Sequence, residues 1–261
     1  MDAPLPALFL SHGSPMLAVQ DSPTGRFLDG LARHLPGPRA VLVASAHFNA
    51  PGPVVTAAER PATVHDFGGF PPALYALEYP AAGDPALAAA VAGRLRDAGF
   101  DARTDPEAGL DHGVWVPLRR MYPEADLPVL ALSVDPWRDA AWHYRVGQAL
   151  APLRKAGVLV VGSGSFSHNL RALDGRPGAP VPDWVEAFTA ALRRRLLEGD
   201  VAGALDWTAL PAARLNHPTP EHLLPLFVAL GAGGGAPAGL LHEDVELGAL
   251  ALDAYAFGLH A

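Results

Sequence analysis

Three apolar strands that each run out into a histidine constrain this chain more than any other feature. Val158-Leu-Val-Val161 is a β-branched run that reads as a buried strand. Gly162-Ser-Gly-Ser165 reads as a small-residue turn, and His168 follows it. Ala7–Leu10 leads in the same way into Ser11-His12-Gly13, and Ala40–Ser45 leads into His47. Short apolar runs bounded by turn residues are the pattern of strands covered on both faces. In open α/β sheets, ligands collect beyond the carboxyl ends of the strands. Three histidines delivered to that edge therefore predict a functional site there.

Helical stretches separate the strands. Ser22-Pro23-Thr24 opens one, with Phe27, Leu28, Leu31 and Leu35 on its apolar face. Asp84-Pro85 opens another, Asp as N-cap and Pro in the first turn. Trp115–Met121, Asp139–Ala156 (with a kink expected at Pro152) and Asp183–Glu198 also keep helical spacing. Thr219 and Pro220 are expected to cap a helix through Leu223–Leu230, with His222 in its first turn. Further strands are expected at 54–56, 100–104, 127–134, 240–247 and 249–258. The alternation predicts an α/β fold, one catalytic domain over 1–261, with a central, mostly parallel or mixed sheet flanked by helices.

Composition removes several function classes. The 261 residues are 50% hydrophobic, ample for one core. A net charge of −8 argues against a general nucleic-acid grip, which rests on basic patches. Arg193-Arg194-Arg195 is read as a solvated helix end. The absence of cysteine excludes disulfides, thiolate metal sites and a thiol nucleophile. No signal-like leader and no span-length apolar window is present, so a cytoplasmic protein with no membrane association is expected.

Of eleven histidines, His34, His143, His242 and His260 lack supporting context and are read as surface or structural residues. His12, His47 and His168 share the strand-exit position. Neutral imidazole is the commonest metal ligand and the usual general acid or base. A first-turn His222 would be kept neutral by the helix dipole, the form a metal requires, with Glu221 as a rival ligand. Such a set suits Zn, Fe or Ni, hence an Fe(II) oxygenase or a Zn hydrolase. Gly162-Ser-Gly-Ser lacks the Gly-Lys-Ser/Thr end of a phosphate loop and the spacing of a nucleophile elbow. His65-Asp-Phe-Gly-Gly-Phe-Pro-Pro72 is loop chemistry of the kind that lines pockets.

Ser11-His-Gly-Ser-Pro-Met16, Ser45-Ala-His-Phe48, His65-Asp-Phe-Gly-Gly-Phe-Pro71, Asp111-His-Gly113, Ser167-His-Asn-Leu170 and Pro218-Thr-Pro-Glu-His222 occur in that order across nearly the whole chain. Together they resemble the extradiol ring-opening dioxygenases of the LigB superfamily, in particular the DOPA-dioxygenase branch. The resemblance implies one α/β domain and a mononuclear Fe(II) site, often zinc-loaded in isolated proteins. It implies His12, His47 and His222 as metal ligands. His168 would be the acid/base close to the metal, or an added ligand before substrate binds, and His112 a group near the substrate oxygens. Phe67, Phe70 and Tyr79 would wall the pocket. A catechol and O2 would be the substrates, giving a ring-opened semialdehyde acid, and a homodimer is compatible. His217, just before Pro218, is no part of the pattern; it is expected either to lie on the surface or to disturb the site.

Overall fold

In the computed structural model, which describes residues 3–176 and 178–259, the strands are β1 (Ala7–Ser11), β2 (Ala40–Asn49), β3 (Val54–Thr56), β4 (Arg103–Asp105), β5 (Val129–Val134), β6 (Val158–Gly164), β7 (Gly239–His242), β8 (Val245–Glu246), β9 (Leu250–Ala251) and β10 (Ala254–Phe257). Eight of them form one sheet in the order β4-β3-β5-β2-β6-β1-β10-β7. The central four, β5, β2, β6 and β1, are mutually parallel. β10 and β7 add antiparallel on one side, and β3 with β4 close the other. The chain is thus a single α/β domain with a large mixed sheet.

Strand alternation sends side chains to two cores. Ala7, Phe9, Leu42 and Val160 face one side; Leu8, Leu10, Val43 and Val161 face the other. Helices α1 (Pro23–Leu31), α2 (Pro72–Tyr75), α3 (Pro85–Asp97), α4 (His112–Met121), α5 (Ala140–Lys155), α6 (Asp183–Glu198), α7 (Val201–Leu205), α8 (Ala213–Asn216) and α9 (Leu224–Ala232) complete the chain. α3, α5, α6 and α9 cover the first face, α1 and α4 the second. α9 is buried at every position, which is why its sequence is apolar all round. The Asp84 cap expected from sequence forms, accepting from the Leu87 N–H, and Ser22 and Asp139 cap their helices in the same way, accepting from the Gly25 and Trp142 N–H groups.

Several expectations are corrected. Gly162-Ser-Gly164 is no turn but the end of β6. A Cβ on Gly162 would lie 2.1 Å from the Pro225 carbonyl oxygen, and one on Gly164 2.1 Å from that of His222. The glycines let the 222–225 segment lie directly on the strand. The 100–104 strand shrinks to β4, and the apolar run after 239 is split among β7 to β10. Arg193 does not sit in solvent: it pairs with Glu243 at 2.7 Å and with the fully buried Asp253 at 2.9 Å. His260 lies outside the described residues. Among the described residues no helix is long and apolar enough to cross a membrane.

His143, read from sequence as a surface or structural residue, is a satisfied core histidine. Its Nδ1–H donates to the Asp139 carbonyl at 2.8 Å, and Nε2 accepts from the Asp135 N–H at 3.1 Å. Burial pushes it down from 6.5 to about 4, against smaller opposing effects of Asp139 and Asp135. The unfolded chain therefore binds the extra proton first, and stability is lost as pH falls from 6.5 toward 4. At pH 5 the loss from this group is about 2 kcal/mol. His143→Gln is expected to flatten the fall in unfolding free energy between pH 7 and pH 5 by that amount. An unchanged slope in denaturant titrations would contradict the assignment.

Candidate metal centre

The parallel strands deliver their histidines to one edge, as the strand-exit pattern predicts. His12 follows β1 directly. His47 lies within β2, at an irregularity where the pairing with β5 jumps from Ser45 to Asn49; such bulges re-aim a side chain. His222 arrives on the turn before α9, laid against Gly164. It is not in the helix's first turn, and Thr219 is not the helix cap, so the dipole argument for its neutrality fails. Burial supplies that neutrality instead. His12 and His222 are both pushed well below 6.5, first by burial and then by neighbouring imidazoles.

Each of the three rings is held at Nδ1 by an acceptor. The Ser163 hydroxyl donates to the Gly113 carbonyl, so its oxygen is left to accept from His12 Nδ1–H at 3.0 Å. Asp66 Oδ2 accepts from His47 Nδ1–H at 3.1 Å. Glu221 Oε1 accepts from His222 Nδ1–H at 3.1 Å and from the Thr219 hydroxyl at 2.9 Å. With the proton on Nδ1, every Nε2 carries a bare lone pair. These Nε2 atoms converge, His47 lying 3.1 Å from His12 and 3.2 Å from His222. Imidazoles in this form present only lone pairs to one another, an arrangement that a shared cation relieves. Nitrogens about 2.0–2.1 Å from one ion sit about 3 Å apart. The donor set fits one transition-metal ion, and the acceptors behind it are the partners that orient metal-bound imidazoles.

His112 is the first residue of α4, which starts three residues before the Trp115 expected from sequence. Its backbone N–H and Nδ1–H both donate to Asp66 Oδ1 at 2.9 Å. Asp66 thus joins His47 to His112. Burial raises the Asp66 carboxyl, but the hydrogen bonds from His112 and His47 outweigh it and hold it well below the usual carboxylate range. His168 stacks flat on His222, ring centroids 3.4 Å apart, outside the convergent trio. Burial pushes it down to about 4; Glu221 opposes this, and His47 and His112 add to it.

A cavity of about 940 Å³ opens over these rings. His12, His47, His112, His168 and His222 form its floor, with Asp66, Phe67 and Phe70 beside them. Tyr79, expected in the wall, is instead buried in the second core with its hydroxyl on the Tyr122 carbonyl at 3.0 Å, away from the cavity. His217 neither lies on the surface nor joins the floor. It is fully buried, Nε2–H donating to the Phe166 carbonyl at 3.1 Å, between Phe188 and Trp207.

Sequence reasoning overlooked Asp66 and Ser163 as working residues. Asp66 was visible only as a charged residue in an aromatic loop, and Ser163 only as a small residue at a strand end. Asp66→Asn places an amide where both imidazoles need an acceptor. It is expected to weaken metal binding about 10–100-fold, the usual effect of losing such a partner. Titration of the apoprotein with Fe(II) or Zn(II) checks this; unchanged affinity would remove Asp66 from the site.

The family model for the catalytic LigB subunit of aromatic ring-opening dioxygenase matches residues 6–258. The chain is 42% identical over 253 residues to a 4,5-DOPA dioxygenase extradiol of Escherichia coli K12, covering 95% of this chain and 93% of that protein. It is 42% identical over 257 residues to the 4,5-DOPA dioxygenase extradiol of Beta vulgaris, with 95% of each covered. A crystal structure of an uncharacterized Escherichia coli K12 protein superposes with a TM-score of 0.83 at 37% identity, covering 97% of this chain and all of the other. An edge of parallel strands carrying convergent histidines, and these likenesses over almost the full length, lead to one conclusion: the chain belongs to the LigB family and is an extradiol aromatic ring-opening dioxygenase.

Proposed function

We propose that the chain opens the ring of a DOPA-like catechol with O2, using Fe(II) held by His12, His47 and His222, with His168 and His112 as its acid/base pair. The observation that carries this reading is the convergence of three Nδ1-anchored imidazoles at 3.1–3.2 Å beneath an aromatic-lined cavity. Zn(II) suits the same donors and is expected in isolated protein. When bound, the metal acts as a Lewis acid that lowers the catechol pKa and templates diol and O2 side by side.

The protein's own groups move the protons. His112, its Nδ1–H fixed on Asp66, keeps Nε2 free to accept a catechol proton, and the carboxylate stabilises the resulting imidazolium. His168, kept neutral by burial, takes the second proton and returns it to oxygen as the ring opens. Both atoms of O2 enter the product, a semialdehyde acid, so no outside reductant is needed. Phe67 and Phe70 hold the ring plane and exclude water. The test is a panel: apoprotein, Fe(II) protein and Zn(II) protein, each given DOPA in air. A yellow ring-opened product with Fe(II) alone is expected. Turnover of DOPA by the apoprotein would overturn the reading.

A further inference from the structure

Resting on the catechol reading above, we infer that Leu247, at the tip of the β8–β9 hairpin, determines specificity by packing against an apolar substituent on the catechol ring. The tip is Leu247-Gly248-Ala249, and its first two residues have φ of +51° and +71°. Glycine or asparagine is the ordinary choice for left-handed backbone, because other side chains crowd the following carbonyl. Leucine is disfavoured there, and core packing does not offset the strain, since Leu247 is 39% exposed. What the side chain does instead is line the cavity, with Leu170, Leu173, Val245 and Leu250 around it.

The tip is held in place from below. The Asp174 N–H donates to the Leu247 carbonyl at 2.8 Å. The Ser167 hydroxyl donates to the Ala249 carbonyl and accepts from the Ala251 N–H, each at 2.8 Å. Ser167 precedes His168, so the leucine lip is tied to the loop that carries the proposed acid/base. Charged groups share the cavity lining: Asp244, which accepts from the Thr24 hydroxyl at 3.1 Å, and Glu246 and Arg176. A cavity of about 940 Å³ is far larger than one dihydroxybenzene ring fills. With the diol on the histidine floor, the remaining space runs to the leucine lip. The lip fits the apolar stem of a substituent on the catechol ring, and the charged residues beside it leave room for a polar end such as DOPA carries.

The experiment compares kcat/KM for 4-propylcatechol and catechol in the Fe(II) protein, for wild type, Leu247→Asn and Leu247→Gly. Wild type is expected to prefer 4-propylcatechol. Both variants should cut that preference about tenfold, chiefly through a higher KM for 4-propylcatechol. Their Tm should not fall, because Asn and Gly suit the backbone. A preference unchanged in both variants, or a wild type with none, overturns the inference while leaving ring opening intact. Equal loss on both substrates together with a lower Tm also overturns it, by assigning Leu247 a structural role. A wild-type Fe(II) protein that opens neither ring removes the underlying reading, and this inference with it.

Discussion

Replacing His168 by alanine is expected to lower kcat about 10²–10⁴-fold, the usual worth of a positioned acid/base, while the metal stays bound. The three convergent Nε2 atoms belong to His12, His47 and His222, and each ring keeps its own Nδ1 anchor without His168. What the variant loses is the imidazole stacked on His222 at 3.4 Å and facing the cavity. Steady-state kinetics and a metal titration on the same preparation check both halves. Near-normal kcat would take the proton-transfer role away from His168. Loss of the metal would make it a ligand.

His222→Ala carries the second large effect. It removes one of three donors and leaves the Glu221 carboxylate without its imidazole. Metal affinity is expected to fall by more than the 10–100-fold seen when an orienting partner is lost, and ring opening with it. Glu221→Gln separates the two neighbours that sequence left as rivals. As an orienting acceptor, Glu221 should cost affinity only within that smaller range. The carboxylate already accepts from Thr219 and His222, which is the occupation of an orienting group. A glutamine variant that loses the metal as fully as the alanine variant would reverse the assignment.

Much of this site is legible in the sequence because strands advertise themselves. The apolar runs at 7–10, 40–45 and 158–161 could only be buried strands, and residues at their exits had to meet at one edge. Parallel pairing sets their register, Leu10 against Ser163 and Ser45 against Ser133, which leaves the Ser163 hydroxyl within reach of His12 just past β1. What stayed hidden depends on contacts distant in sequence. The glycines of β6 looked like a turn because nothing local reveals that the 222–225 segment would need their missing Cβ atoms. His217 looked like a stray surface residue, since its partner, the Phe166 carbonyl, lies 51 residues away. Asp66 bonds across 46 residues to His112. The resemblance put Tyr79 in a pocket wall, whereas its hydroxyl meets a core carbonyl 43 residues on. Arg193 showed the opposite bias: an arginine run reads as solvent-facing, yet the fold brings Asp253, just before β10, to it.

The central claim is that a three-histidine metal centre under this cavity delivers O2 to a catechol. It is tested most directly with an oxygen electrode. Apoprotein loaded anaerobically with one Fe(II) per chain is mixed with DOPA, and a limiting amount of O2 is admitted. The account predicts one O2 consumed per ring opened, with yellow product rising in step and no peroxide released. A fully loaded protein that consumes no O2, or consumes it without opening the ring, would contradict it.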